Sequence, residues 1–249
     1  IDMKLPLKNS SGGIFIAHDR AGATAYTSAH MAYSYSIPMN ENSLSIGTKI
    51  GLINNVLDGS KLLTPSDNLG IQDPLLNENK SSSLRPDLGI GVSFNHPVFF
   101  AHVFVNNVAD FKSKLEGIDT EFNTYYGRYL GIGASAEIPV NEKISLNSAI
   151  LLRSNFINSQ FDLSLSTTFL KKYTFGIGSR GYNKRSFESL FLITKIKLPK
   201  EIVFMYSFDL SLNSINLVSY GTHEMSIQYI IPKKFVSNRT KIINHPRYL

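Results

Sequence analysis

Any chemistry in this chain has to come from a few residue groupings. His18-Asp19 sets an imidazole beside a carboxylate, the start of a metal site or an acid–base pair. A metal site needs further ligands converging at fixed spacings, and no second ligand stands at a useful spacing from this pair. Ser66-Asp67-Asn68 echoes one motif of penicillin-binding enzymes, but neither Ser-x-x-Lys nor Lys-Thr-Gly accompanies it. Gly131-Ile132-Gly133 and Gly176-Ile177-Gly178 lack the helix that must follow a phosphate-cradling loop. Their simpler reading is close packing against a strand face. The chain has no cysteine, which excludes disulfides, thiolate nucleophiles and thiolate metal sites. The six histidines are dispersed, and nothing in their placement suggests the Ser/His or Asp/His cluster that a hydrolytic site would need. The expectation is a protein that is not an enzyme, with no catalytic, cofactor or metal site.

The elements that carry these residues are strands. In "QFDLSLSTTFLKKYTFGIG" (160–178), Phe161, Leu163, Leu165 and Phe169 alternate with Asp162, Ser164, Ser166 and Thr168. After Leu170-Lys171-Lys172 the alternation resumes at Tyr173, Phe175 and Ile177. A period of two marks a strand with one apolar and one polar face. The pattern recurs at 44–52, 88–94, 130–138, 144–152, 202–212 and 223–231. The best candidate for a short helix is "ADFKSKLEGI" (109–118). No run of about 18 apolar residues offers a membrane-spanning helix, which leaves a spanning barrel open.

Alternation alone fits two folds: a sandwich with apolar residues inside, or a barrel with apolar residues outside. Connection lengths separate them. Segments 38–42, 95–97, 139–143, 170–172 and 198–201 are short. Segments 54–84, 106–124, 154–159, 179–185 and 213–221 are longer, and the two classes alternate. Tight turns at one end and longer loops at the other are the habit of outer-membrane barrels. The periodic runs also approach the 9–11 residues or so of a tilted spanning strand. Tyr33, Tyr35, Phe94, Phe99, Phe169, Tyr173 and Tyr229 cluster beside the short turns, as aromatic residues do at a membrane boundary. A sheet in hydrocarbon must close, since open edges leave backbone groups without partners. The expected fold is therefore all-β: an antiparallel up-and-down transmembrane β-barrel over residues 1–231, its apolar face on outer-membrane lipid.

About 12 strands are visible, and bacterial barrels have even counts. With the short turns periplasmic, Ile1 to Leu5 would end a downward strand that begins upstream, and roughly 14 strands are expected in all. Loops 54–84, 106–124 and 213–221 would be extracellular. Net charge is +6, with Lys and Arg scattered except near the C-terminus, so nucleic acid is not an expected partner. There Lys233, Lys234, Arg239, Lys241 and Arg247 stand without an acid in a tail, 232–249, that would emerge in the periplasm. These five are the candidate partner-binding residues, drawing a periplasmic partner by charge.

Five segments carry a family resemblance. "AHDRAGATAYTSAHMAYSYSIPMNENSLSIGTKIGL" (17–52), "DPLLNE" (73–78), "RPDLGIGVSF" (85–94), "FFAHVFVNNV" (99–108) and "YGTHEMSIQYIIPKK" (220–234) resemble, in order and spacing, the PorP/SprF family. These are outer-membrane proteins of the type IX secretion system of protein-secreting and gliding Gram-negative bacteria. Family members usually open with Asn-Pro-Ala and Arg-x-Gln-Trp segments, and neither occurs here. The resemblance implies a non-enzymatic role in export and cell-surface retention of cargo. Such a protein would bind a cargo C-terminal domain, or link to periplasmic or outer-membrane subunits of the machine. A passive diffusion pore and a soluble β-sandwich binding module are the competing readings.

Overall fold

The computed structural model describes residues 1–62, 80–109, 113–114, 123–124, 127–182, 185–214 and 220–231. The strands are β1 (Asp2–Lys4), β2 (Ser10–Ala21), β3 (Thr24–Met39), β4 (Asn42–Asp58), β5 (Lys80–Asn95), β6 (Phe99–Asn106), β7 (Ser113–Lys114) and β8 (Asn123–Thr124). They continue with β9 (Tyr129–Pro139), β10 (Ile144–Ser154), β11 (Ser159–Phe169), β12 (Tyr173–Tyr182), β13 (Arg185–Leu198), β14 (Ile202–Ser211) and β15 (Thr222–Tyr229). Thirteen of them form one sheet in chain order from β1 to β15, and β7 pairs only with β8. The fold is all-β, an antiparallel up-and-down meander of the β-barrel kind. Among the described residues no helix is long and apolar enough to cross a membrane.

The chain divides into two units, 1–94 with 103–130, and 95–102 with 131–249. In the first unit, turns 5–9 and 40–41 lie at one end and connections 22–23 and 59–79 at the other. In the second, 140–143, 170–172 and 199–201 oppose 155–158, 183–184 and 212–221. The difference between the two ends is thus less regular than the sequence implied. Strands β12 and β13 continue through 179–182 and from Arg185, because polar residues near a strand end can alternate and pair like the rest. The long connection begins after Asp58 and ends before Lys80, inside the expected 54–84. Ser113–Lys114 is strand rather than helix, paired with Asn123–Thr124. A two-stranded ladder there satisfies backbone groups that a lone helical turn would leave open.

Turn chemistry fixes the hairpins. Leu170 and Lys171 have φ of 54° and 56°, and Lys200 and Glu201 have 62° and 59°. Two consecutive left-handed residues make the twisted hairpin turn that matches the strands. Leucine pays a steric penalty there that Asn or Gly would avoid.

Burial is inverted relative to a soluble protein. The buried hydrophobic residues among those described are Ile53, Phe100, Leu151, Phe191 and Val203, whereas Ser28, His30, Ser81, Ser83, Arg85, Asp87, Asp162 and Ser164 are all buried. In the first unit Ile14, Met31 and Ile50 form one outward row across β2–β4, with Met31 65% and Ile50 63% exposed. In the second, Ile144, Phe169, Tyr173, Ile196, Phe204 and Ile227 form a continuous row beside the short turns. A sandwich would bury the apolar face. Here that face is the exposed one, so a nonpolar solvent has to meet it.

Candidate functional site: charged clusters on the buried face

The polar face carries two ion clusters, one in each unit. In the first, Asp87 on β5 is 2% exposed and accepts from Lys49 Nζ at 2.9 Å and His30 Nε2 at 2.8 Å. The Asn107 N–H donates to its other oxygen at 3.2 Å, and the Asn107 side chain in turn donates to Gly127 O at 3.1 Å. Two glycines make room for these reaches. A Cβ on Gly51 would lie 2.4 Å from the His30 ring, and one on Gly89 would lie 2.7 Å from Lys49 Cε. His30 therefore passes over Gly51 of β4 and Lys49 over Gly89 of β5, which lets β3, β4 and β5 converge on one carboxylate.

The second cluster joins β10, β11, β12 and β14. Asp162, 3% exposed at its side chain, is bound by Arg153 Nη2 and by Arg180 Nε, the latter at 3.3 Å. Gln160 Nε2 donates to it at 2.8 Å. Arg180 extends to Asp209 Oδ2 at 2.8 Å, passing 5.7 Å from the centre of the Phe191 ring. Phe191 covers Gly178, whose Cβ would fall 2.2 Å from the ring. Further along the same face Thr168 Oγ1 bonds Thr174 Oγ1 at 2.9 Å and accepts from Asn147 Nδ2 at 3.0 Å.

His30 is held by Asp87, but no described serine or threonine hydroxyl is bonded to its ring. A nucleophile and a base within reach of each other are the minimum for nucleophilic catalysis. What the clusters do is cross-link strands on a face that an apolar core cannot hold together. Buried charges are tolerable only when paired, and the two aspartates are, although Arg153 Nε is buried without a hydrogen-bond partner among the described residues.

Of the residues singled out in the sequence, His18 Nδ1 bonds Thr27 Oγ1 at 2.8 Å on an exposed hairpin. Among the described residues no three His, Asp or Glu side chains group as a metal site. Gly133 lies beneath His102 and Gly176 beneath Ser166, the close packing expected of them. Ser66, Asp67 and Asn68 lie outside the described residues, as do Lys233, Lys234, Arg239, Lys241 and Arg247. The clusters around Asp87 and Asp162 were not anticipated. Their one sequence signal is parity: Lys49, Asp87, Asp162 and Arg180 all occupy the non-apolar face of their strands.

This burial pattern on an up-and-down sheet meets a match over nearly the whole chain. The family model for the type IX secretion system membrane protein PorP/SprF covers residues 1–229. The chain belongs to the PorP/SprF family. Comparison with curated proteins finds none that matches. PorP/SprF membership makes the chain a membrane component of the type IX secretion system, as the five resembling segments implied. It also fits the nonpolar surroundings that the outward rows require.

Proposed function

We propose that the chain is an outer-membrane component of the type IX secretion system that supports export and surface retention of cargo proteins. The observation that carries this reading is the PorP/SprF match across residues 1–229. In this reading the connections 59–79, 107–128 and 212–221 face outward and contact a cargo C-terminal domain, since loops on a rigid scaffold are the usual place for recognition. The basic tail, with Lys233, Lys234, Arg239, Lys241 and Arg247, lies in the periplasm and docks on subunits of the machine through charge attraction. The role is non-enzymatic.

Affinity purification from native membranes in mild detergent should recover a cargo C-terminal domain or secretion-system subunits. Recovery of the barrel alone would contradict the proposal. Deleting 233–249 should leave the barrel inserted and sharply reduce co-purifying periplasmic subunits; unchanged complexes would refute docking through the tail. The polar buried face favours one other reading, a passive diffusion pore, which a silent planar-bilayer trace would end.

A further inference from the structure

The outward face of the second unit departs from a uniform apolar wall at one place. Between β9 and β13 lies a hollow of about 670 Å³, lined on the outward face by Leu146, Leu165, Phe175 and Leu192, with Thr167 and Thr194 among them. The register explains it. Thr167 stands directly opposite Phe175 on one side, and Thr194 stands opposite it on the other. Two short side chains therefore flank one large ring on the apolar face, two residues beyond the row beside the short turns. No charged side chain lines the hollow.

Along the same strands, toward the short turns, lies a group of cations. Lys143, Lys171 and Lys172 occupy adjoining turns, tied where Leu170 N–H donates to Lys143 O at 2.6 Å. Among the described residues none of the three forms a salt bridge, whereas Lys197 nearby is paired with Glu201 at 3.4 Å. Lys172 Nζ lies 5.1 Å from the Tyr173 ring centre, and Tyr173 belongs to the outward row beside the turns. Its ammonium is thus on the side of the sheet that carries the hollow. From Lys172 to Phe175 the strand rises roughly 10 Å, which is the offset between a headgroup and the upper part of its acyl chains.

We infer that this face holds a phospholipid, its acyl chains in the hollow beside Phe175 and its phosphate on Lys172 with Lys143 and Lys171 close by. The apolar lining selects hydrocarbon, and the lysines select an anionic headgroup. Lysines at a membrane boundary extend their ammonium to the phosphate layer while their stems stay on apolar surface. The hollow and the unpaired cations are independent features at matching depth, and together they specify one amphiphile.

Native mass spectrometry of the full chain in mild non-ionic detergent, with phosphatidylglycerol added as the probe, tests this. The wild type should retain one phosphatidylglycerol above the micelle background. Thr167→Phe with Thr194→Phe fills the hollow, and Lys171→Glu with Lys172→Glu reverses the charge. Each pair should lower occupancy by about tenfold or more, while Met31→Phe on the other unit should leave it unchanged. Folding of every variant is checked by heat-shifted gel migration. Should the phenylalanine pair fail to insert, the glutamate pair decides alone. Inorganic phosphate at the same concentration should not displace the lipid; if it does, the phosphate and not the amphiphile is bound, and the proposal falls. Equal retention in wild type and the glutamate pair would mark an adventitious additive only, and would overturn it.

Discussion

Replacing Asp87 with alanine is expected to cost about 3–5 kcal/mol of folding stability, the range for removing one partner of a buried ion pair. The carboxylate accepts from Lys49, His30 and the Asn107 N–H, and its side chain is 2% exposed. Truncation leaves the Lys49 ammonium lying over Gly89 with no counter-charge. The Lys49 side chain is 29% exposed, so residual hydration places the effect toward the lower end of that range. The large value comes from the orphaned cation rather than from the pair itself. Removing both charges, Asp87→Ala with Lys49→Met, should therefore recover much of the loss, because an apolar replacement for a buried ion pair is often close to neutral. Urea titration of the folded, heat-shifted gel band measures both variants. If Asp87→Ala unfolds at the wild-type urea concentration, the cluster contributes nothing to the fold.

The second large effect concerns the opposite face of β4, the strand that carries Lys49. Ile50→Arg is expected to destabilise the inserted protein by about 2–4 kcal/mol, the cost of a cation on the lipid face near the bilayer midplane. Ile50 is 63% exposed and pairs with Met31, itself outward. On a water-exposed surface the same exchange would change stability by no more than about 0.5 kcal/mol. The adjacent residue is already a cation: Lys49 points to the other face and meets Asp87 at 2.9 Å. Adjacent positions on β4 should thus tolerate charge in opposite ways. Refolding equilibria in lipid vesicles measure the cost, and a neutral Ile50→Arg would mean that water rather than hydrocarbon covers this face.

How much of this the chain discloses depends on how local the signal is. The alternation from Phe161 to Ile177 places each side chain on its face, because parity needs only neighbouring residues. The apolar row through Phe169 and Tyr173 was legible for that reason. The two ion clusters were not, since Asp87 meets His30 and Lys49 only once three strands have a definite register. Register is set by pairing across the chain, and a slip of one residue would turn all of these side chains to the other face. Strand ends were obscured for another reason. Ser179, Arg180 and Gly181 look like loop residues, yet each pairs with β11, Arg180 being held by Asp162 and Asp209. Most of the candidate helix 109–118 lies outside the described residues; within it Ser113–Lys114 is strand, and the charges at every second position from Asp110 to Glu116 have the period of a strand and not of a helix.

The chain's lack of cysteine permits a direct test of which medium wets each face. Single cysteines placed in turn at Leu163, Leu165 and Ile177, and at Ser164 and Ser166, would carry a nitroxide in protein reconstituted into vesicles. Collision with oxygen, which partitions into hydrocarbon, is compared with collision with a water-soluble nickel chelate. Labels at 163, 165 and 177 should be reached by oxygen and shielded from nickel, and those at 164 and 166 should lack that lipid signature. Nickel access at 163, 165 and 177 would show that water lies against the apolar face, and a membrane-spanning sheet could not stand.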